Sequence, residues 1–146
     1  MADNITLARS LYEGWNERKL DELADAMAPD GKIVVVGTGD VYEGPEGSRQ
    51  YNQAWYDGFP DGRITIDNIV ASGDCVVVEF SGHGTHTGPM VTSMGTIPAT
   101  GRSLTMKLCD VVEFKDGKVA AHRTYFDTGS MMAQLGVTAE QIATTK

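Results

Sequence analysis

The chain has 146 residues, 41% hydrophobic and 22% charged, a composition typical of one soluble globular domain and not of two-domain or disordered proteins. Twelve Lys and Arg oppose twenty Asp and Glu, and the basic residues are scattered, so the net charge of -8 argues against nucleic acid as a partner. No basic signal-peptide region precedes an apolar run, and no run approaches the roughly 18 residues that span a membrane, so we expect a cytoplasmic protein.

The first part of the chain has helical periodicity. Apolar residues recur every three or four positions over residues 5–15, which predicts an amphipathic helix. A second, short helix is expected to bury Leu20, Leu23 and Met27 and to end at Pro29, because proline cannot donate the hydrogen bond that the preceding turn needs. Together the two segments predict a helical hairpin.

A strand and a third helix follow. The β-branched segment Lys32 to Val36 predicts a short strand, after which a four-residue loop begins at Gly37. Pro45 then suits the first turn of a helix. The aromatic residues of this helix recur every four positions and form a stripe: Tyr51, Trp55 and Phe59.

The remainder of the chain changes to a period of two. Alternating residues separated by turn signals predict four long antiparallel strands: Arg63 to Val70, Asp74 to His86, Ser103 to Phe114 and Lys118 to Phe126. Gly82 and Gly84 lie inside the second of these strands and are expected to let the sheet curl. Helices therefore precede sheet, and we predict an α+β fold: a cone-shaped, curved antiparallel sheet with three helices from the N-terminal half over its concave face.

We assign residues 1–146 to one domain, with a core of about 5–136 and a flexible C-terminal tail, 137–146. The loop from Gly88 to Gly101 is the other segment expected to be flexible. Within it, the stretch 89–100 mixes Met and Ile with Thr, Ser and Gly, a composition that we consider unsuited to a strand and suited to a mobile lid over an apolar ligand.

The turn between the last two long strands fixes which residues face inward. Lys115-Asp116-Gly117 suits a three-residue hairpin, which would place Asp110 directly opposite His122. A two-residue Asp-Gly turn is the alternative and would place Asp110 opposite Arg123. In the first register one face carries Met106, Leu108, Asp110, Val112, His122, Thr124 and Phe126.

These inward residues and the helical aromatics could enclose a small-molecule pocket, or they could simply fill a core. An inward carboxylate and imidazole favour the pocket. The predicted ligand-binding residues are Tyr12, Trp15, Tyr51, Trp55, Phe59, Phe80, His86, Met106, Leu108, Thr124 and Phe126.

Asp110 and His122 are the candidate catalytic residues. A carboxylate flanked by Cys109 and Val111 on an inward strand position loses solvation, and an imidazole opposite could make it a base near neutral pH. A buried polar pair that only satisfies itself is the alternative. Cys75 and Cys109 are expected to be buried free thiols, because their spacing does not suit zinc, and no sequence pattern implies a metal or cofactor.

Several segments, spread over residues 5–136, resemble the SnoaL-like polyketide cyclases: Tyr12-Glu13-Gly14-Trp15-Asn16, Gly44-Pro45-Glu46-Gly47, Gly84-Thr85-His86-Thr87-Gly88-Pro89, Pro98-Ala99-Thr100-Gly101-Arg102, Phe114-Lys115-Asp116-Gly117-Lys118-Val119 and Gln134-Leu135-Gly136. The resemblance implies the nuclear transport factor 2-like cone, usually a homodimer packed through the outer sheet face, with a cavity for a small apolar or polyketide-like ligand. It also implies an intramolecular aldol ring closure on a polyketide ester by side-chain acid/base chemistry, without metal or cofactor.

The resemblance further implies a catalytic aspartate after His-Arg or His-Trp in the last long strand, where this sequence has Thr124 after His122-Arg123. The resemblance also implies that Asp110 stands where some cyclases have a pocket histidine, and we interpret the carboxylate as having moved across the hairpin rather than disappeared. The same cone resembles those of ketosteroid isomerases, which would pair Asp110 with Tyr12 or Tyr51, and of epoxide hydrolases, which would need Arg123 inside the cavity. A noncatalytic ligand-binding protein of this fold would need only the apolar pocket.

Overall fold

The computed structural model describes residues 3–93 and 95–138, which form four helices and eight strands. The helices are α1 (Asn4–Asn16), α2 (Leu20–Asp25), α3 (Gly44–Gly58) and α4 (Thr128–Leu135). The strands are β1 (Met27–Val35), β2 (Asp40–Glu43), β3 (Arg63–Ser72), β4 (Cys75–Thr85), β5 (Met90–Thr92), β6 (Gly95–Ile97), β7 (Ser103–Lys115) and β8 (Lys118–Phe126).

Six of these strands form one sheet in the order β2-β1-β8-β7-β4-β3. The four predicted long strands are β3, β4, β7 and β8. In the sheet β3 pairs antiparallel with β4, β4 with β7, and β7 with β8. The predicted α+β class with a curved sheet is confirmed, although β1 pairs parallel with β8 and the sheet is open rather than closed into a barrel.

The second helix is shorter than predicted, and the expectation that Met27 lies on it is wrong. α2 ends at Asp25, and Met27 begins β1, where it pairs with Val119 of β8. Gly31 lets the two strands approach, because a Cβ at this position would lie 2.5 Å from the Val119 carbonyl oxygen. Pairing with a distant strand therefore decides the conformation of a segment whose periodicity continues that of a helix.

The hairpin between β7 and β8 has a different register from the predicted one. Its turn has two residues, Asp116 and Gly117, with φ of 53° and 76°, the left-handed pair of a type I′ turn. A bulge near Phe114 then shifts the register by one more residue, so that Asp110 lies opposite Thr124 instead of His122. The two single shifts restore the parity, and the inward-facing residues are those predicted.

The segment from Gly88 to Gly101 contains a β-hairpin, so the expectation that its composition is unsuited to strands is wrong. Met90 pairs with Ile97, and both side chains are buried against the core. Burial of this pair stabilises strands that the mixed composition does not suggest. Movement of the hairpin as a lid stays a prediction.

A fourth helix, α4, follows the sheet and is absent from the predicted elements. Asp127 caps it by accepting a hydrogen bond from the Ser130 amide at 3.0 Å, and Gly136 ends it with φ of 72°. The expected tail begins directly after this cap, but most of it, residues 139–146, lies outside the described residues.

The core lies between the helices and the inner face of the sheet, where residues such as Val76, Val78 and Val112 are fully buried. Cys75 and Cys109 are free but only half-buried, so the expectation of buried thiols is wrong for both. Among the described residues, no helix combines the length and apolarity that crossing a membrane requires.

Candidate active site

An apolar pocket of about 110 Å³ lies between α1, α3 and the inner face of the sheet. α1 and α3 supply aromatic side chains at helical spacing, and β4 and β7 supply residues at alternate positions. The lining residues are Tyr12, Trp15, Tyr51, Asn52, Trp55, Phe59, Gly62, Arg63, Ile64, Phe80, Gly82, His83, Gly84, Leu104, Met106, Leu108, Asp110 and His122.

Asp110 is the single carboxylate among the described residues that line this pocket, and its side chain is 4% exposed. The Oδ2 atom accepts a hydrogen bond from the Tyr12 hydroxyl at 2.7 Å and lies 2.9 Å from His122 Nε2. The Oδ1 atom is buried and has no hydrogen-bond partner within residues 3–93 and 95–138. The pocket thus contains a buried carboxylate, one oxygen of which is held by two donors.

Tyr12 reaches Asp110 across 98 positions in the sequence. Burial and the neighbouring Asp110 carboxylate raise the pKa of Tyr12 well above its ordinary value of 10.0. The phenol therefore stays protonated at neutral pH and acts as a hydrogen-bond donor. Its ring packs against Phe80 at a centroid distance of 5.1 Å, which fixes its orientation.

His122 lies diagonally across the hairpin from Asp110, because the observed register pairs it with Val112. Diagonal neighbours on one sheet face are close enough for long side chains to meet. The Tyr51 ring lies edge-on to the imidazole at 6.4 Å. Burial first, and then the charge of Asp110, raise the pKa of Tyr51, so this phenol also stays neutral.

Three residues predicted to bind ligand do not line this pocket. Phe126 packs edge-on against Trp55 and lines a second cavity on the other side of that ring. Thr124 is fully buried beside Asp110, and its hydroxyl has no hydrogen-bond partner within the described part of the chain. His86 is fully buried behind Phe59, on which its ring stacks at 5.2 Å.

His86 has a structural environment of its own. Its Nδ1 atom accepts a hydrogen bond from the Thr100 amide at 3.3 Å, and its own amide donates to the Arg102 carbonyl at 2.9 Å. Burial lowers the pKa of His86 below 6.5, so the neutral imidazole is favoured. His86 thereby ties the end of β4 to the return arm of the β5–β6 hairpin.

Sequence reasoning missed several pocket residues. Asn52 follows Tyr51 on α3, and its side-chain amide donates to the Ser48 carbonyl at 2.9 Å. Ile64 and Leu104 lie at inward positions near the strand ends. The alternation of β3 and β7 could have identified both aliphatic residues, whereas Asn52 carries no signal beyond its place in the helix.

We also examined whether side chains of the described residues could bind a metal ion. Within the described ranges, no three His, Cys, Asp or Glu side chains lie close enough together to hold a metal ion. The polar side chains of the pocket that contact Asp110 directly are those of Tyr12 and His122. What they can do chemically is accept, donate and relay a proton.

Comparison with known proteins identifies the family. The model of the SnoaL-like polyketide cyclase family matches residues 5–135. Aklanonic acid methyl ester cyclase AcmA of Streptomyces galilaeus is 30% identical over 140 residues, which cover 93% of this chain and 92% of the relative.

Solved structures agree with this match. IdmH of Streptomyces antibioticus is 32% identical, with a TM-score of 0.75 over 93% of this chain and 100% of that chain. A SnoaL-like protein of Jannaschia sp. CCS1 has the same fold, with a TM-score of 0.81 at 23% identity over 92% of both chains. The chain therefore belongs to the SnoaL-like polyketide cyclase family.

Proposed function

We propose that this protein is a cyclase that closes a ring in a polyketide ester by an intramolecular aldol reaction, with Asp110 as the base. The observation that carries the proposal is the carboxylate itself. It is buried in an apolar pocket, two donors hold its Oδ2 atom, and its Oδ1 atom has no partner among the described residues.

The first step is removal of a proton from a carbon next to a carbonyl group. The Asp110 carboxylate takes the proton, and the electron pair of the C–H bond passes into an enolate. A base must lie within about 3 Å of the carbon acid, in a site dry enough to keep the base reactive. The apolar walls of the pocket meet the second requirement.

The second step forms the new carbon–carbon bond. The enolate carbon attacks a ketone carbon of the same molecule, and the electron pair of that carbonyl moves onto its oxygen. Tyr12, still protonated at neutral pH, can donate its proton to this alkoxide and recover one from Asp110 through their 2.7 Å hydrogen bond. The proton is thus returned to the product, and the reaction as written needs only side chains of this chain.

The other activities considered for this fold fit less well. Asp110 is the single carboxylate among the described residues that line the pocket, and Arg123 donates instead to Glu113 Oε2 at 2.6 Å, so the Asp-Arg-Asp arrangement of an epoxide hydrolase lacks its second aspartate. An isomerase would use the same Asp110 and Tyr12 pair. The cyclase is preferred because the family and the named S. galilaeus relative are polyketide cyclases.

The test is turnover of aklanonic acid methyl ester, the compound in the name of that relative. Asp110→Asn keeps the shape of the side chain but removes its basicity, so we expect turnover to fall by on the order of 10²-fold or more with ligand binding nearly kept. His122→Gln should cost less, because it removes a partner and leaves the base. Asp67→Asn, which removes an exposed carboxylate on the outer sheet face, is the matched control and should leave turnover unchanged.

Two outcomes would contradict the proposal. If Asp110→Asn keeps full turnover while Tyr12→Phe or His86→Gln abolishes it, the base lies elsewhere. If the parent and all variants bind the compound and none converts it, the protein is a noncatalytic binder of such ligands.

A further inference from the structure

We propose that a second cavity, on the far side of Trp55, binds the part of the substrate that is remote from the reacting carbon. This inference rests on the proposed function, because it takes the pocket at Asp110 as the place of reaction. It adds a second compartment and the chemical class of the group that fills it.

The sizes of the two cavities lead to this proposal. The catalytic pocket measures about 110 Å³ and the second cavity about 250 Å³. Sites for drug-sized ligands typically measure about 300 to 1,000 Å³, so the catalytic pocket alone is too small for a molecule of several rings. The second cavity offers the additional room.

The two cavities are adjacent. Tyr51 and Trp55 line both of them, so one layer of aromatic side chains separates the catalytic pocket from the second cavity. Trp55 packs edge-on against Phe126 at 5.8 Å and lies 6.0 Å from Phe59. Rotation of Trp55, which is only partly buried, would join the compartments into one elongated site.

The walls of the second cavity suit an apolar ring system. Ala54 leaves room on the α3 side, and Met90, Met131 and Met132 supply flexible, polarisable side chains that adapt to ligand shape. Phe126 offers an aromatic edge. The ligand body in this compartment is therefore apolar and flat or compact.

The polar groups at one side of the cavity determine which polar group the ligand can carry at that end. Asp40, Thr38 and Thr128 lie there, and no Lys, Arg or His is found among the described residues that line the cavity. The Asp40 side chain makes no hydrogen bond or ion pair within residues 3–93 and 95–138. A hydroxyl or amino group of the ligand could donate a hydrogen bond to this carboxylate. A carboxylate on the ligand would be repelled by its negative charge.

Binding of model compounds tests the proposal without relying on turnover. The probes are a hydroxyacetophenone with one ring, a dihydroxyanthraquinone with three rings, and the carboxylated form of that anthraquinone. Isothermal titration calorimetry gives the dissociation constants of the parent and of each variant.

Two substitutions fill one compartment each. Ala54→Phe fills the second cavity, and Gly82→Val narrows the catalytic pocket, where a Cβ would meet Leu108 and Ile64 at ordinary contact distances of 3.6 and 3.7 Å. Met132→Trp is a second way to fill the far cavity if Ala54→Phe does not fold. Ala133→Phe, an exposed change on α4, is the matched control.

Ala54→Phe should weaken binding of the three-ring probe at least tenfold and leave the one-ring probe within twofold. Gly82→Val should weaken both. The carboxylated probe should bind the parent at least tenfold more weakly than the neutral one, and Asp40→Asn should narrow that difference.

Unchanged binding of the three-ring probe to both Ala54→Phe and Met132→Trp would overturn the second compartment. Equal binding of the neutral and carboxylated probes to the parent would overturn the assigned ligand class. Neither result depends on the base: full turnover by Asp110→Asn would instead refute the proposed function and leave these binding results standing.

Discussion

Asp110, Thr124 and His86 each bury a polar atom that has no hydrogen-bond partner among the described residues, but their surroundings differ. Asp110 lines the apolar pocket, whereas the other two lie behind its walls. A buried polar group without a partner lowers the stability of the fold by about 1 to 3 kcal/mol. Such a group therefore usually has a ligand or water as its partner, or has a catalytic role. Of these three residues, Asp110 alone lines a cavity, which supports its proposed role as the base.

The hydroxyl of Tyr12 is predicted to serve both stability and catalysis. Tyr12→Phe keeps the ring but removes the donor to Asp110, so the free energy of unfolding should fall by roughly 1 to 3 kcal/mol and turnover should fall about tenfold or more. Urea unfolding and turnover assays measure the two effects. Tyr56→Phe is the matched control, because that hydroxyl donates to the Trp15 carbonyl at 2.7 Å and not to Asp110.

The substitutions at Tyr12 and Tyr56 should therefore have different effects on turnover. Tyr56→Phe should lose stability by about 0.5 to 1.5 kcal/mol with little change in turnover. Equal losses of turnover in both variants would show that the Tyr12 hydroxyl acts only through the fold.

His86 is predicted to make stability depend on pH. Because burial lowers its pKa below 6.5 in the folded protein, the unfolded chain binds a proton more readily than the native protein in the window below pH 6.5. The free energy of unfolding should therefore fall as the pH drops through that window and be unaffected by this residue well above it. Asp3, Asp61 and Asp67, whose pKa values are lowered from 3.8 by hydrogen bonds, act only at lower pH.

Urea unfolding at about pH 7.5 and about pH 5 measures the effect. His86→Asn should be less stable than the parent at the higher pH but should lose less stability on acidification. His83→Asn, at an exposed histidine, should keep the parental difference. An undiminished difference in His86→Asn would assign the pH dependence to other groups.

The close approach between α3 and the segment that precedes β5 depends on one glycine, Gly88. A Cβ at Gly88 would overlap the Asp57 carbonyl oxygen at the end of α3, where the Gly88 amide also donates to the Gly58 carbonyl at 3.3 Å. Gly88→Ala should therefore lower the free energy of unfolding by about 1 to 3 kcal/mol through overpacking. Chemical denaturation measures the change.

Gly82→Ala provides the comparison for that element, because its added methyl group meets only ordinary contacts. Its effect should stay within about 1 kcal/mol, since glycine inside a strand is itself unfavourable. If Gly88→Ala is as stable as the parent, the segment that precedes β5 can move away from α3 without loss of stability.

At the scale of the whole molecule, the outer face of the sheet is predicted to pack against a second copy. Tyr125 is 42% exposed there, and Cys109 and Val111 are half-buried among charged residues. Exposed apolar residues on a long sheet need cover, and a twofold dimer is the commonest solution. Light scattering at micromolar concentration should give a mass near twice 15.7 kDa.

Tyr125→Glu should shift that mass toward the monomer, because it would bury a charge in the interface. Val91→Glu, at an exposed hairpin residue, should not. A parent protein that scatters as a monomer would refute the dimer.

Periodicity in the amino-acid sequence predicts the long strands, α1, α3 and the inward face that carries Asp110, Met106 and Leu108. These features depend on periodicity over many residues, which is a local property of the chain. The face survived an error of register, because a two-residue turn and a bulge each shift the pairing by one and together preserve which side chains point inward.

The other features depend on contacts that form only in the folded chain. Pairing with β8 makes Met27 the start of a strand, burial of Met90 against Ile97 creates a hairpin, and packing of α1 on the sheet brings Tyr12 to Asp110. In each case the stabilising contact joins residues that are distant in sequence or depends on burial against the core. Local sequence patterns therefore do not predict it. The physical reason is that periodicity identifies the face that a residue occupies, whereas only long-range packing selects the group that it meets.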